Sequence, residues 1–305
     1  MIEQARLEAI QFWNEPNNFS HWDVGADADK SLFVQMVTEA AQTVQQTAPG
    51  VLRVLGGLNP IDPVFLERLK DKGLLEHMDA VALHGYPLDW NLWRMDEWPT
   101  KIDSVRAITN KPVWVTESGA SSFGADEMQA RALQRMAELL IGRADRVYWH
   151  SLLDLPPTWP ADTNRKENEG SAYYRHFYQG LIRAEGSPKP AAQKFALFAP
   201  VLGVSQNFQV NDPRLPFAIE WLRRLDVRQV RTTLRWPDWE RPDGPAWADT
   251  LLTALAPFEV TLTLCFTPPG RGRVEDPASP PRDLSDFAHF VETIAHRYAG
   301  QRRSV

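Results

Sequence analysis

Two glutamates stand where acid–base or nucleophilic chemistry needs them. Glu15 follows a short apolar run within Trp13-Asn14-Glu15-Pro16-Asn17, and Glu117 ends the run Val113-Trp114-Val115-Thr116 before Ser118-Gly119. Both runs have the β-branched and aromatic character of strands, and Pro16 has no amide hydrogen to continue a ladder, so Glu15 marks a strand's C-terminal end. Two carboxylates at the ends of separate parallel strands can face each other across a barrel mouth. Cleavage of a glycosidic bond needs such a pair: one carboxyl exchanges a proton with the bridging oxygen, and the other attacks the anomeric carbon or activates water. Glu15 alone would read equally well as a charge beside a turn; its match with Glu117 argues for catalysis.

Something must hold those two ends opposite each other. Short apolar runs at 9–14, 51–58, 80–85, 113–116, 146–152, 203–208, 229–234 and 259–266 alternate with amphipathic stretches, among them 31–47, 63–72, 125–141, 213–225 and 284–298. That alternation is the pattern of βα units around a parallel sheet. Eight units in 305 residues fit an α/β fold, a single (β/α)8 TIM barrel, whose ordinary size is about 250 residues. In such a barrel the C-terminal strand ends form the active face. Residues 1–305 are therefore read as one catalytic barrel, with the Pro- and Gly-punctuated stretch 186–202 as a joining segment between 1–185 and 203–305.

Lys and Arg total 33 against 39 Asp and Glu, a net charge of -6, and no basic run stands out. Nucleic acid and anionic membranes are poor partners for such a chain. Cys265 is the only cysteine, which excludes an intrachain disulfide and a multi-cysteine zinc site. The first residues lack a basic stretch followed by an apolar one, and the chain reads as soluble and cytoplasmic. His84, His150 and nearby acids show no HxH or HExxH spacing, so no metal is expected. Twelve tryptophans, several in loop-like segments, suggest a cleft in which sugar rings stack.

The two glutamate motifs resemble those of the clan A glycoside hydrolases, retaining (β/α)8 enzymes with the acid/base on the fourth strand and the nucleophile on the seventh. Ala82-Leu83-His84-Gly85-Tyr86-Pro87 is similar to the clan's sixth strand end, and Tyr148-Trp149-His150-Ser151-Leu152-Leu153-Asp154 to its eighth. The stretch Trp13 to Asp23 loosely resembles bacterial β-xylosidase-like proteins. Val230-Arg231-Thr232-Thr233-Leu234-Arg235-Trp236 resembles the second strand with its arginine, and Leu262 to Pro268 the third. The order is thus four to eight, then one to three, which implies a circularly permuted barrel.

The resemblance implies Glu15 as acid/base and Glu117 as nucleophile in a double displacement on an oligosaccharide or glycoside, with no cofactor. It implies that Asn14 binds the sugar 2-hydroxyl and that Arg231 keeps Glu117 ionised. His84 and Tyr86 would hold the nucleophile and substrate, or else are satisfied rim residues. Trp149 and Trp236 match barrel-mouth positions and would stack on sugar faces, whereas Trp90, Trp93 and Trp98 would form an outer subsite or staple a long loop. Glu15 is expected to be protonated at rest, its carboxyl raised by apolar walls. Two readings compete: a carbohydrate-binding barrel with little or no turnover, and two half-barrels serving as an interaction scaffold.

Overall fold

The computed structural model describes residues 6–159 and 170–299. All eight apolar runs form strands: β1 (Arg6–Phe12), β2 (Leu52–Leu58), β3 (Ala80–Gly85), β4 (Val113–Ser118), β5 (Arg146–His150), β6 (Gly203–Ser205), β7 (Gln229–Arg235) and β8 (Glu259–Cys265). They pair in parallel, in chain order, and close into a barrel. The closing seam joins β1 to β8 with Ile10 opposite Leu262 and Phe12 opposite Leu264, the pairing expected of the apolar residues there. A closed ring has the same neighbours whichever strand the chain opens on. A permuted barrel implies that the two termini lie near each other; Met1, Ile2 and Val305, on which that depends, are outside the described residues.

The two faces of the strands bury different things. Ile10 and Phe12, Val81 and Leu83, Val113 and Val115, and Val147 and Trp149 belong to the large core between sheet and helices. Ala9, Ala80, Ala82 and Trp114, at the alternate positions, form a smaller cluster with Val54 on the opposite face, inside the barrel. Around the ring the helices present apolar stripes at helical spacing. Helix Ser31–Thr47 buries Phe33, Met36, Val37, Ala40, Ala41 and Val44, and it packs on Ser285–Tyr298. The joining segment 186–202 carries a helix, Pro190–Ala196, that buries Ala191, Ala192 and Phe195 against Asp126–Leu140. Helices Trp98–Arg106 and Gly244–Ala254 lie between β3 and β4 and between β7 and β8.

Candidate active site

Beyond β1 the chain turns through two left-handed residues, Trp13 (φ 66) and Glu15 (φ 47). That conformation is costly for residues with side chains and persists where packing over-determines it. Here the Trp13 ring is fully buried, edge-on to Trp22 at 5.0 Å and to Phe287 at 5.6 Å. The turn delivers the Glu15 carboxylate inward. Its Oε2 accepts a hydrogen bond from Asn18 (2.8 Å) and its Oε1 one from Asn59 (3.0 Å), at the end of β2. His21 Nδ1 lies 3.7 Å from Oε2.

Glu117 reaches the same space by a different device. Strand alternation alone would put it on the face of Val113 and Val115, toward the helices. The β3–β4 register shifts so that Leu83 opposes Val115 while His84 opposes Glu117. Such an irregularity re-aims side chains at the rim of a barrel. Thr116 and Glu117 consequently both serve the mouth. One Glu117 oxygen pairs with the Arg231 guanidinium from β7, and the other accepts the Tyr86 hydroxyl at 2.7 Å.

His84, fully buried, stands between the two acids. Its Nδ1 is 3.0 Å from Glu15 Oε1 and 3.5 Å from Glu117 Oε2, and its Nε2 is 3.1 Å from the Thr116 hydroxyl. Carboxylates only accept, so Nδ1 carries the hydrogen. Space for this ring comes from Gly57 (φ +62), where a Cβ would fall 2.2 Å from Nε2. Arg231 also donates to Asn14 Oδ1 (2.8 Å) and to Ser205 Oγ (3.2 Å), so one buried cation orders three neighbours.

Burial opposes ionisation of Glu117, but the charges of His84 and Arg231, with His150 and the Tyr86 hydrogen bond, hold its carboxyl well below the usual carboxylate range. Glu15 is also burdened by burial, and the hydrogen bond from His84 with the charges of His21 and His84 brings it below its ordinary value. This corrects the expectation of apolar walls raising Glu15: the groups against its oxygens are Asn18, Asn59 and two imidazoles. The acids still differ in kind. An arginine cation pairs with Glu117, whereas no arginine or lysine among the described residues pairs with Glu15. Tyr86 is raised well above its ordinary value by burial and by Glu117, so it remains a donor.

Asn14, Glu15, His84, Tyr86, Glu117 and Arg231 thus come together as the motifs suggested. Trp149 and Trp236 do not. Trp149 shares a strand face with Val147, is fully enclosed in the core between sheet and helices, and has no face for a sugar; its neighbour His150 points inward with Tyr148. Trp236 is buried, stacked on Phe290 (5.7 Å, 8°) against helix Ser285–Tyr298. Trp93 and Trp98 pack edge to face (4.9 Å) as a loop staple. Trp90 borders the site, half-buried, 4.8 Å edge-on from Tyr86 and stacked on His176 (4.5 Å).

Sequence reasoning missed Asn18, His21, Asn59, His150 and Ser205. His150 was legible, because strand period puts it on the barrel-facing side; the others are short polar residues in turns or at strand ends. It also missed that Glu15, His84 and Glu117 place one donor atom each within 4.8 Å of one another, the only group of three or more such donors among the described residues that could hold a metal ion. Donors gathered from three strands have no local spacing to recognise.

Residues 2–148 match the glycosyl hydrolase catalytic core family. That glycosyl hydrolase match ends within β5 and includes both glutamates, His84 and Tyr86. No curated protein matches the chain. Among solved structures, a Bacteroides uniformis β-glucuronidase is similar at 12% identity over 63% of this chain and 23% of that one, with a TM-score of 0.46. A GH128 endo-β-1,3-glucanase from Amycolatopsis mediterranei, in complex with laminaritriose, is 16% identical over 61% and 70% of the two chains, with a TM-score of 0.39. Xanthomonas albilineans dihydropteroate synthase is 14% identical over 96% and 94%, with a TM-score of 0.38. The chain spans under a quarter of that glucuronidase, and likeness at this level says nothing of activity.

Proposed function

We propose that the protein is a retaining glycoside hydrolase that cleaves a β-linked glycoside or oligosaccharide, with Glu117 as nucleophile and Glu15 as acid/base. One observation carries this reading: two buried carboxylates from different strands present oxygens within 4.8 Å of each other, with a fixed cation on one alone. Facing oxygens this close leave little room for an attacking water, which inverting sites admit by holding their carboxyls about 6.5–9.5 Å apart, and so favour direct attack. Glu117, ionised through Arg231, attacks the anomeric carbon. Glu15, protonated as substrate expels water and penalises the second buried charge, passes its proton to the leaving oxygen. It then takes a proton from the water that releases the sugar. Asn14, held by Arg231, is the group for the 2-hydroxyl.

The order of motifs, with Arg231 following the glutamates, supports a permuted barrel, and the stretch after Glu15 supports a β-xylosidase-like preference. A second reading rests on the lowered Glu15 carboxyl: a site with both acids ionised would bind sugars without turnover. Trapping with a panel of 2-fluoro glycosides, followed by peptide mapping, tests both. The expected result is a glycosyl ester on Glu117 and a product of retained configuration. Net inversion would remove the nucleophile role; binding with no turnover of any aryl glycoside would leave the binding barrel.

A further inference from the structure

Outside the catalytic cluster, a cavity of about 640 Å³ is lined by the segments that follow β4 and β5, so it opens on the barrel's active face. Its size lies in the usual range for small-ligand sites, about 300–1,000 Å³. The wall is aromatic: Phe123, Tyr173, Tyr174, Phe177 and Tyr178. Phe123, Tyr174 and Tyr178 are 42%, 51% and 38% exposed, although a large ring left in water normally loses stabilisation. Phe123 stacks on Tyr174 (5.9 Å, 16°) and lies 5.7 Å from Tyr178, which makes one continuous patch.

The polar part of the lining is built as well. Asp154 and Lys189, both buried, pair at 2.7 Å, and Asp154 also accepts the Gly180 amide at 2.8 Å. Arg183 pairs with Asp126 at the rim. Among the described residues that line the cavity, cations and anions are thus matched, with Glu185 in addition, and this set does not favour an anionic ligand. Apolar ring faces beside paired hydrogen-bonding groups suit a pyranose, which has C–H faces and a rim of hydroxyls.

The cavity is tied to the catalytic centre. Asp89, in the loop after β3, accepts from the Ser121 amide (2.9 Å), Gln179 (3.0 Å) and Arg175 (2.7 Å), joining the loops after β3, β4 and β5. Trp90, outside the cavity, links Tyr86 to His176, the chain neighbour of the lining residue Phe177. We infer that this cavity is a second sugar-binding site, taking a neutral glycosyl unit on Phe123 and Tyr174. The inference rests on the glycoside hydrolase reading for the identity of its ligand. The unit belongs either to the far end of the chain being cleaved or to a separate chain.

The test titrates laminarihexaose, cellohexaose and xylohexaose into Glu117→Gln and into the same protein carrying Phe123→Ala and Tyr174→Ala. Matched thermal unfolding of the two proteins checks the fold. Loss of two stacking rings should weaken Kd about tenfold or remove one binding equivalent. In the otherwise native enzyme the paired alanines should raise KM for the bound hexasaccharide while kinetics on its 4-nitrophenyl monosaccharide glycoside move less than twofold; this places the far end of the same chain in the cavity. Weaker binding with unchanged hexasaccharide kinetics identifies a separate chain. Equal affinity and stoichiometry in the two proteins, or no binding by either, overturns the inference. Failure of the native enzyme to hydrolyse anything defeats the hydrolase reading alone, because the titration still decides the cavity.

Discussion

The ends of β1 to β4 and the ends of β5 to β8 contribute unequally to the site. The first four supply the two acids, Glu15 and Glu117, at or just beyond their termini, together with Asn18, Asn59, His84 and Tyr86, each hydrogen-bonded to one of them. From the second four, Ser205 and Arg231 reach that network, and His150 faces it from β5. Yet the first half is incomplete, because without Arg231 the buried Glu117, next to a second carboxylate, would keep no permanent cation beside it and only His84 against its charge. Reacting groups can cluster on neighbouring strands, while the counter-charge that separates their roles must come from across the barrel.

The sharpest way to break this comparison is to remove the acids themselves. Glu117→Gly should lose activity by about 10⁴-fold, and azide should restore turnover of an activated glycoside with inverted configuration. Glu15→Ala should cost about 10²–10⁴-fold on poor leaving groups but little on dinitrophenyl glycosides, which leave without protonation. The opposite pattern would exchange the roles.

Arg231→Met asks whether the far half is needed. Breaking one side of a buried pair costs about 3–5 kcal/mol, to be read by denaturant unfolding. The sign for activity follows from the lowered Glu117: its ionisation, and the stability it adds, persist above the unfolded carboxyl pKa and fade as pH falls through the folded value. Without Arg231 the carboxyl rises, so the acid limb of kcat/KM should move to higher pH. An unmoved limb would show that His84 alone keeps Glu117 ionised.

Trp149→Ala should destabilise the barrel by about 3–5 kcal/mol, as for other buried aromatic residues, seen as a lower Tm. A folded variant of native stability with weakened sugar binding would return Trp149 to the site. The smallest effect belongs to His150, whose imidazole burial pushes down to about 4 despite Glu117. Between that value and about 6.5 the unfolded chain holds a proton the fold refuses, so stability falls as pH drops through that window. His150→Asn should flatten this slope by roughly 1–3 kcal/mol between pH 7 and 4.

Much of the architecture was readable in the chain. Eight buried strands announce themselves because parallel strands covered on both faces must be apolar nearly throughout, and Glu15 and Glu117 were visible as acids closing such runs. What the period of a strand predicts failed at one position and was overlooked at another. Glu117 turns inward because the β3–β4 register slips, a consequence of fitting two strands together that neither strand encodes alone. Trp149 and His150 are adjacent, and the larger ring drew attention although alternation gives the mouth to the smaller one.

The chain by itself determined which segments become strands and helices, since period and side-chain type act over a few residues. It also placed a carboxylate at each of two strand ends. Only the closed barrel decided that His84 stands 3.0 Å from one acid and 3.5 Å from the other, that Arg231 spans 114 positions to reach Glu117, and that Trp149 and Trp236 are core. Distances between residues so far apart in sequence depend on how eight strands tilt and register against one another, and no local run of residues carries that information.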